Sequence, residues 1–342
     1  MSDDVLEIFS LGIGGSIYDT TKEHPRLGEY KGRFFKSGEQ QNRRREYLEQ
    51  QKKNRFDAVS YARKLADGDL NEEDFTQASM EVEEFSKCEK QRNKKRFNPY
   101  KNQLMLSEWL VDAPPDLESD WIMMLSPVGK RVLIVAHKGS TSAYSKNGYC
   151  LNKFPSLLPG GSFKSWHSSA KQSFTLLDCI YDEVNRTFWI LDLMFYKGVC
   201  FYESEKDFRL FWITTMLLED SEDLNQNTEA NPFKFLPCPH VSCSETSIFN
   251  ILAKPHDFQI DGVLFYHRLS QYRPGRNPLV GWLKPYMIPD ILGIEVPVIN
   301  TNDAPVEFNR DVLMEANKKL QKTTKDTSLV VSKSLNSDIS IK

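Results

Sequence analysis

The chain has 342 residues, of which 40% are hydrophobic, and its formal net charge is only −3. This size accommodates one globular core with appendages. No run approaches the roughly 20 apolar residues of a bilayer-spanning helix, so we expect no membrane segment. The six scattered cysteines and a start without the basic and apolar regions of a signal peptide predict reduced thiols, in cytosol or nucleus.

The first 23 residues form a short segment that is both apolar and acidic. Its apolar side chains include Leu6, Phe9 and Leu11, and a break follows at Gly14 and Gly15. An apolar segment outside a core needs a surface to pack against. Two interpretations stay open: a strand or helix that docks on the body of the protein, and a short peptide that a partner recognises.

A strongly basic segment follows, from position 43 to position 64. It has no internal Gly or Pro and only a narrow apolar stripe, which predicts a long helix that buries little in its own protein. A solvated helix is one interpretation, but the one-sided charge favours binding to an extended acidic surface. The basic residues are Arg43, Arg44, Arg45, Lys52, Lys53, Arg55, Arg63 and Lys64.

Two segments of the chain are predicted to lack stable structure. Residues 67–96 are first acidic and then basic, with few apolar positions, so we expect a flexible linker. We also hypothesise that its acidic residues shield the basic helix when no partner is bound. Residues 300–342 are polar, with one helix-like piece at Val312–Leu320, and we expect disorder there.

Residues 97–299 have the pattern of a globular domain, with short apolar runs between turns. Four runs are rich in β-branched and aromatic residues and are too short for helices, so we predict strands. Asp207–Leu218 and Ser244–Leu252 are predicted helices, and Asn185–Arg186 is a predicted hairpin turn. The prediction is an α+β fold with a substantial antiparallel sheet. The predicted strands are Arg131–Ala136, Phe174–Asp178, Thr187–Asp192 and Gly262–Tyr266.

Two motifs of this domain, Asp261–Phe265 and Gly281–Pro285, resemble the last two motifs of the nucleotidyltransferase core of mRNA capping enzymes and polynucleotide ligases. In that family, a lysine in an earlier Lys-x-Asp-Gly element attacks the nucleotide, and this sequence has no such element. The lysine's position falls near Ser126, before Arg131. The position of a family carboxylate falls at Ile180. Because covalent catalysis requires a positioned amine, the resemblance implies a guanosine pocket that binds without reacting.

Tryptophans and lysines near these motifs supply a candidate nucleotide site. Trp109 and Trp282 are the tryptophans best placed to stack on a base, and the position of Trp282 between Gly281 and a proline predicts an exposed loop. A methylated guanine is positively charged, so a cation–π attraction of roughly 0.5–2 kcal/mol would add to stacking. Charge-assisted hydrogen bonds to a polyphosphate are predicted for Lys130, Arg131, Lys146 and Lys284.

A cysteine and histidine cluster at Cys238, His240 and Cys243 invites comparison with a zinc site. It offers only three nearby ligands, and no second cluster lies at zinc-finger spacing. We therefore expect buried or loop thiols there. No metal or cofactor is predicted.

Longer stretches resemble the snurportin family from His24 to Val298. The resemblance implies a catalytically inactive fold similar to that of capping enzymes, in an import adaptor that shuttles between cytoplasm and nucleus. Such an adaptor recognises the 2,2,7-trimethylguanosine cap of spliceosomal small nuclear RNAs. The matching stretches include His24–Leu27, Tyr30–Lys31, Ala62–Ala66, Asn102–Trp109, Lys138–Tyr144, Ser156–Gly161, Asn231–Phe235 and Leu279–Met287.

The same resemblance implies a division of the chain by partner. Residues 1–23 would bind an exportin through Leu6, Phe9 and Leu11, and residues 24–66 would be a helical importin-β-binding domain. After the linker at 67–96, residues 97–299 would bind the cap, followed by the tail at 300–342. The importin-binding residues would be Arg26 and Leu27 with the eight basic residues given above.

The resemblance also implies roles within the cap site. Trp282 would stack on the trimethylguanine, and Trp109 would line it together with Leu106 and Ser107. Lys130, Arg131 and Lys146 would meet the phosphates, and Ser126 and Lys284 complete the predicted set. Selectivity over a monomethyl cap would come from apolar contact with the two extra methyl groups and from the absence of a carboxylate that accepts N2–H bonds.

Two other functions compete with this interpretation. One is an RNA guanylyltransferase with a displaced nucleophile, such as Lys130 or Lys138. The other is a general import adaptor for protein cargo. Such adaptors carry helical repeats of about 40–47 residues, and no such period is visible here.

Overall fold

The computed structural model describes residues 39–79, 97–163, 174–219 and 224–297. The predicted exportin peptide with Leu6, Phe9 and Leu11 lies outside the described residues. So do Arg26 and Leu27, most of the predicted linker, and the predicted tail.

The core is built from two sheets that are mainly antiparallel. One sheet has five strands in the order β1-β12-β11-β2-β10, and the other has the order β5-β4-β3-β6-β7-β8, with β9 paired to β7. Pairing is parallel between β1 and β12 and between β7 and β9. The strands are β1 (Met105–Trp109), β2 (Trp121–Pro127), β3 (Lys130–His137), β4 (Ser140–Ser145), β5 (Cys150–Phe154), β6 (Thr175–Asp182), β7 (Thr187–Tyr196), β8 (Val199–Cys200), β9 (Lys234–Pro237), β10 (His240–Ser242), β11 (Ile260–His267) and β12 (Gly275–Leu283).

Helices pack around these sheets. The two helices predicted in the globular domain are confirmed as α5 and α6, and the Ser244 side chain caps α6 by accepting a hydrogen bond from the Ser247 N–H. The helices are α1 (Glu39–Lys53), α2 (Ala58–Asp67), α3 (Glu72–Ala78), α4 (Leu117–Asp120), α5 (Lys206–Glu219), α6 (Glu245–Ala253) and α7 (Ile288–Leu292), with a 3₁₀ turn at Pro285–Met287. None of the helices in the described ranges is long and apolar enough to cross a membrane.

The predicted strands are confirmed, and each is longer than predicted. Strands β6 and β7 are buried at every position, which explains their nearly continuous apolar sequences. The predicted hairpin turn joins them: Arg186 has φ +49°, and the Asp182 carboxylate accepts hydrogen bonds from the N–H groups of Val184 and Asn185.

The basic segment differs from its prediction in two ways. It forms two helices, α1 and α2, because Asp57 starts a new helix by accepting a hydrogen bond from the Ser60 N–H. Both helices also bury side chains in the protein. On α2 these are the apolar Tyr61, Leu65 and their neighbours. On α1 they are chiefly polar, at Gln40, Arg44, Tyr47 and Gln51, a helical spacing that hydrophobic periodicity cannot detect.

The start of the predicted linker is ordered. Asn71 and Asp74 form a capping box that begins α3. Lys64 of the basic segment lies 2.7 Å from the Asp74 carboxylate, and Asp67 pairs with Lys138 at 2.6 Å. Asp67 and Asp74 are therefore part of the folded body, because their charges are held by specific lysines.

A buried charge cluster ties α5 to the seven-stranded sheet. The Asp192 carboxylate lies 3.0 Å from Lys206 Nζ and 2.7 Å from Arg209 Nε, and all three side chains are almost fully buried. Lys206 also donates to the Leu191 carbonyl at 2.7 Å. Burial alone would raise the pKa of Asp192, but the two cations lower it to about 2. Burial lowers the pKa of Lys206 to about 8 although Asp192 opposes this.

Candidate functional site

Strand pairing brings the two candidate tryptophans together. Trp109 on β1 is the register partner of Trp282 on β12, and Trp282 is the partner of Leu264 on β11. Gly262 lies two residues before Leu264, so it shares that face of the sheet, and it pairs with Ser126 on β2. The structure therefore gathers Trp109, Trp282 and Ser126 on one face of the five-stranded sheet.

Glycine at position 262 is what allows this arrangement. A Cβ atom there would collide with the six-membered ring of Trp282 and approach the Leu283 carbonyl to 2.8 Å. The indole of Trp282 thus lies directly across the backbone of the Asp-Gly motif on β11. The two motifs that first indicated a nucleotide site are in contact.

The prediction that Trp282 is exposed on a loop is wrong for this structure. The residue lies inside β12 and its relative exposure is 0%, while that of Trp109 is 4%. Gly281 does not make a turn. It makes room for Leu110, whose Cδ1 would lie only 3.0 Å from an added Cβ. A base can therefore stack on Trp282 only after the groups that pack on the indole move away.

The other residues predicted to line the base are also largely covered. Ser107 is buried, Leu106 is half-buried against the core, and Ser126 is buried in β2. The pairing of β1 with β12 is irregular between Leu106 and Glu108. Leu106 and Ser107 lie on β1 with Trp109, and Ser126 lies on β2 of the same sheet.

Arg131 has a partner that the sequence did not indicate. Its guanidinium lies 2.9 Å and 2.8 Å from the two carboxylate oxygens of Asp178 and donates to the Met105 carbonyl at 2.7 Å. Tyr272 donates to the same carboxylate at 2.9 Å. The phosphate contact of Arg131 stays a prediction. Its role in the structure is to hold the start of β1 against the other sheet.

The predicted lysines occupy different environments. Lys130 is exposed and pairs with Glu183 at 2.9 Å, a kind of surface pair that contributes little to stability. Lys284 lies 2.8 Å from the Asp261 carboxylate and joins the two motifs directly. Lys146 follows Ser145, the register partner of Val132, and so lies across from Arg131. Lys146 is thus placed beside Arg131, which bonds to the first residue of β1.

A nucleophilic lysine is activated by a lowered pKa. The ion pair with Asp67 raises the pKa of Lys138. The pKa of Lys206 is lowered, but its amine is enclosed and engaged by Asp192 and Leu191. Ser126, near which the sequence predicts the position of the family nucleophile, is buried in β2.

The cysteine and histidine cluster forms a packed structural region. Cys238 and Cys243 are buried, as predicted, and burial raises the pKa of Cys243 to about 12. The His240 ring lies 3.2 Å from the Cys238 carbonyl. Over the described ranges, no group of three or more His, Cys, Asp or Glu side chains is placed to hold a metal ion.

Helix α1 docks on the opposite face of the same sheet. Arg43 makes two hydrogen bonds of 2.7 Å to the carboxylate of Glu108, the residue before Trp109. Gln40 donates to the Trp109 carbonyl at 2.9 Å and accepts from the Val111 N–H at 3.3 Å. Sequence reasoning missed Gln40 and Glu108.

Helix α1 makes further polar contacts, beside an apolar one of Tyr47 with Leu279. The Arg44 guanidinium lies 5.1 Å from the ring centre of Trp121, and its Nε donates to the Pro278 carbonyl at 3.4 Å. Burial lowers the pKa of Arg44 to about 10. Gln51 donates to the Leu269 carbonyl at 2.7 Å. The predicted importin-binding residues Arg43 and Arg44 are therefore engaged within the chain, whereas Lys52, Lys53, Arg55 and Arg63 are exposed.

Solved structures similar to this chain include two of DNA ligases. One is mycobacterial DNA ligase D complexed with ATP and MES, at 17% identity and a TM-score of 0.35. The other is the ligase domain of M. tuberculosis LigD, at 15% identity and a TM-score of 0.34. The matches cover 52% of this chain and 58% and 57% of those chains. The chain thus spans less than two thirds of either ligase structure.

Two family models match the chain over separate segments. The model described as "Snurportin1" matches residues 24–64, which include the basic segment. The model described as "Snurportin1, m3G cap-binding domain", where m3G is trimethylguanosine, matches residues 103–285, which include both candidate tryptophans and the strands that carry them. Since this second match alone covers more than half of the sequence, the chain belongs to the Snurportin1 family.

Proposed function

We propose that this chain is a nuclear import adaptor that binds the 2,2,7-trimethylguanosine cap of spliceosomal small nuclear RNAs without altering it. The observation that carries the proposal is the pairing of Trp109 with Trp282 on a face shared with Ser126. That face carries two large aromatic rings, which a base reaches once the groups packed on Trp282 move away, and it has a serine near the predicted position of the reactive lysine of capping enzymes. Membership of a family with an m3G cap-binding domain supports the same function.

The base would be held by stacking and recognised by its methyl groups. Trp282 stacks on the cationic ring, and Trp109 and Leu264 offer apolar contact to the methyl groups on N2. The one carboxylate of β1, Glu108, is engaged by Arg43 on the opposite face. It is therefore withheld from the N2–H groups that a less methylated guanine would present.

The cap phosphates would bind to lysines near the end of β4. Lys146 lies there, across from Arg131 in strand register, and Lys130 joins it when its exposed ion pair with Glu183 opens. Arg131 supports the site indirectly by fixing the start of β1 through Met105. Phosphate recognition of this kind needs only positioned cations.

A competition assay tests the proposed recognition. We expect the trimethylated dinucleotide m3GpppG to displace a labelled m3G-capped probe at a concentration at least about tenfold lower than m7GpppG does, because apolar contacts with two methyl groups contribute on this scale. Equal displacement by both caps would contradict the proposal. Incubation with labelled GTP and magnesium should leave no protein-bound label, and an acid-labile adduct would establish a guanylyltransferase instead.

The adaptor function further requires a carrier, which we propose to be importin β, bound through the basic segment. Most polar contacts between that segment and residues 97–299 are made by helix α1. Importin β therefore has to displace α1 from the five-stranded sheet. If α1 is undocked in only a fraction of the molecules, the apparent affinity for importin β falls to that fraction of its intrinsic value. The family membership also supports recycling by an exportin through residues 1–23, and shuttling between cytoplasm and nucleus.

Replacing Glu108 with glutamine is expected to raise the affinity for importin β about five- to tenfold, because a charge-assisted pair of this type contributes roughly 1–1.5 kcal/mol to docking. Binding of the full chain to purified importin β measures this by surface plasmon resonance. The matched control is Glu183→Gln, which removes the exposed partner of Lys130 and should leave the affinity unchanged. An unchanged or weaker affinity of Glu108→Gln would show that docking does not compete with importin β.

A further inference from the structure

A cationic surface lies beside the proposed cap site. It consists of residues 98–102 and 145–153, which we call the cationic shelf. Together these segments contain three lysines and no Asp or Glu. Phosphate-binding surfaces for single-stranded nucleic acid have this composition when aromatic side chains are interspersed, and the shelf contains Tyr100 and Tyr149 and borders Tyr144.

The two segments of the shelf are fixed to each other. Asn98 Nδ2 donates to the Gly148 carbonyl at 3.1 Å, and the Asn102 N–H donates to the Lys146 carbonyl at 2.9 Å. The rings of Tyr100 and Tyr144 stack with their centres 3.8 Å apart. This bonding gives the shelf a defined shape before any ligand binds, which lowers the entropic cost of binding.

The outer surface of the shelf presents one aromatic ring and two lysines. Tyr149 is 69% exposed, although its backbone is held by the hydrogen bond from the Ser145 N–H to its carbonyl at 2.8 Å. Lys101 and Lys153 are exposed, and neither has an ion-pair partner within the described ranges. An exposed ring on a fixed backbone is suited to stacking with a base.

The position of the shelf relative to the cap site is set by the strands. Lys146 of the shelf lies across from Arg131 in strand register, and Arg131 bonds to Met105, the first residue of β1. From Met105, β1 leads over four residue steps to Trp109, a distance of about 13 Å at the usual strand rise. The shelf therefore begins where the proposed phosphate site of the cap lies.

We propose that the cationic shelf binds the RNA nucleotides that come after the first transcribed nucleotide. Tyr149 stacks on a base, and Lys101 and Lys153 contact phosphates. Recognition is independent of base sequence, because stacking and phosphate contacts carry little sequence information. The inference rests on the proposed function, since the cap is what directs the RNA onto the shelf.

The test compares two ligands with the full-length chain. One is the dinucleotide m3GpppG, which contains the cap and only the first transcribed nucleotide, and the other is an m3G-capped RNA of about ten nucleotides without secondary structure. The variants are Tyr149→Ala and the pair Lys101→Gln with Lys153→Gln. The matched controls are Phe211→Ala, which removes another highly exposed ring, and Lys254→Gln, which removes an exposed lysine on α6's C-terminal side.

Wild-type protein is expected to bind the longer RNA more tightly than the dinucleotide. Tyr149→Ala should weaken binding of the longer RNA about tenfold, as expected for the loss of one stacked base, and should leave dinucleotide binding unchanged. The lysine pair should lower the salt dependence of log affinity by about 1.4, since each single-strand phosphate contact contributes about 0.7. Both control variants should behave as wild type.

The outcomes separate this inference from the proposed function. Equal affinity of the wild-type protein for the two ligands would contradict RNA binding by the shelf and would still be consistent with the proposed cap site. Failure of both ligands to bind would overturn the proposed function itself. If Tyr149→Ala weakened both ligands equally, Tyr149 would belong to the cap site and the separate RNA surface would be excluded. Binding of an acidic peptide in place of RNA would reassign the shelf to a protein partner.

Discussion

Replacing Trp282 with alanine is expected to weaken binding of m3GpppG by roughly hundredfold or more. Stacking on an aromatic ring contributes about 1–3 kcal/mol per base, and the charge of a methylated guanine adds about 0.5–2 kcal/mol. Since the indole is also fully buried across Gly262, the variant should lose about 3–5 kcal/mol of unfolding free energy. Isothermal titration measures the first effect and urea unfolding measures the second.

A control for destabilisation is Trp189→Ala. Trp189 is a buried tryptophan of β7, with its ring centre 4.6 Å from that of Phe258. This variant should lose a similar amount of stability, while its folded fraction retains the cap affinity of the wild type. If Trp282→Ala bound m3GpppG as tightly as Trp189→Ala did, the base would stack elsewhere.

Replacing Asp192 with asparagine is expected to lower the unfolding free energy by about 3–5 kcal/mol, the usual cost of removing one partner from a buried charge cluster. Lys206 and Arg209 would remain as buried cations without their carboxylate. Urea unfolding at neutral pH measures the loss. The control Asp207→Asn removes a carboxylate from the exposed pair with Arg268 and should change stability by less than about 1 kcal/mol.

The same cluster predicts how stability depends on pH. The folded-state pKa of Asp192 is about 2, below its ordinary value of 3.8. The unfolded chain therefore takes up this proton first as the pH falls. The contribution of Asp192 is complete above pH about 4 and is lost between pH 4 and pH 2, so the stability difference between wild type and Asp192→Asn should shrink over that range. A constant difference would contradict this assignment.

Much of the core could be predicted because its strands have a strong local signal. The apolar runs of β6 and β7 and the turn at Asn185–Arg186 reflect strands that are buried on both faces. The frame of the site was also predictable, because the contact between β11 and β12 depends on Gly262 and Trp282, which stand in recognisable motifs.

The docking of α1 could not be predicted from local patterns. Its buried side chains Gln40, Arg44 and Gln51 are polar, and their partners are backbone carbonyls of segments 69, 234 and 218 positions away in the chain. Reasoning from residue charge and polarity predicts that such side chains are exposed to solvent. Their burial is determined only by the tertiary structure that supplies the carbonyls.

The environments of Trp282 and Arg131 could not be predicted for a related reason. A glycine before the tryptophan and a proline after it are typical of loops, but Gly281 here lies within β12, closely packed against the side chain of Leu110. Arg131 stood out as a cation near a motif, while its partner Asp178 is 47 residues away. In both cases the residue type was informative and the packing partner was not visible in the sequence.

The central claim is that this chain binds a trimethylguanosine cap at its paired tryptophans and leaves it intact. Titration of the full chain with m3GpppG, followed by tryptophan fluorescence and by chromatography of the recovered ligand, tests it most directly. We predict saturable quenching with one site per chain, a clearly weaker response to unmethylated GpppG, and recovery of unmodified cap. No saturation, equal binding of GpppG, or cleavage or transfer of the cap nucleotide would contradict the claim.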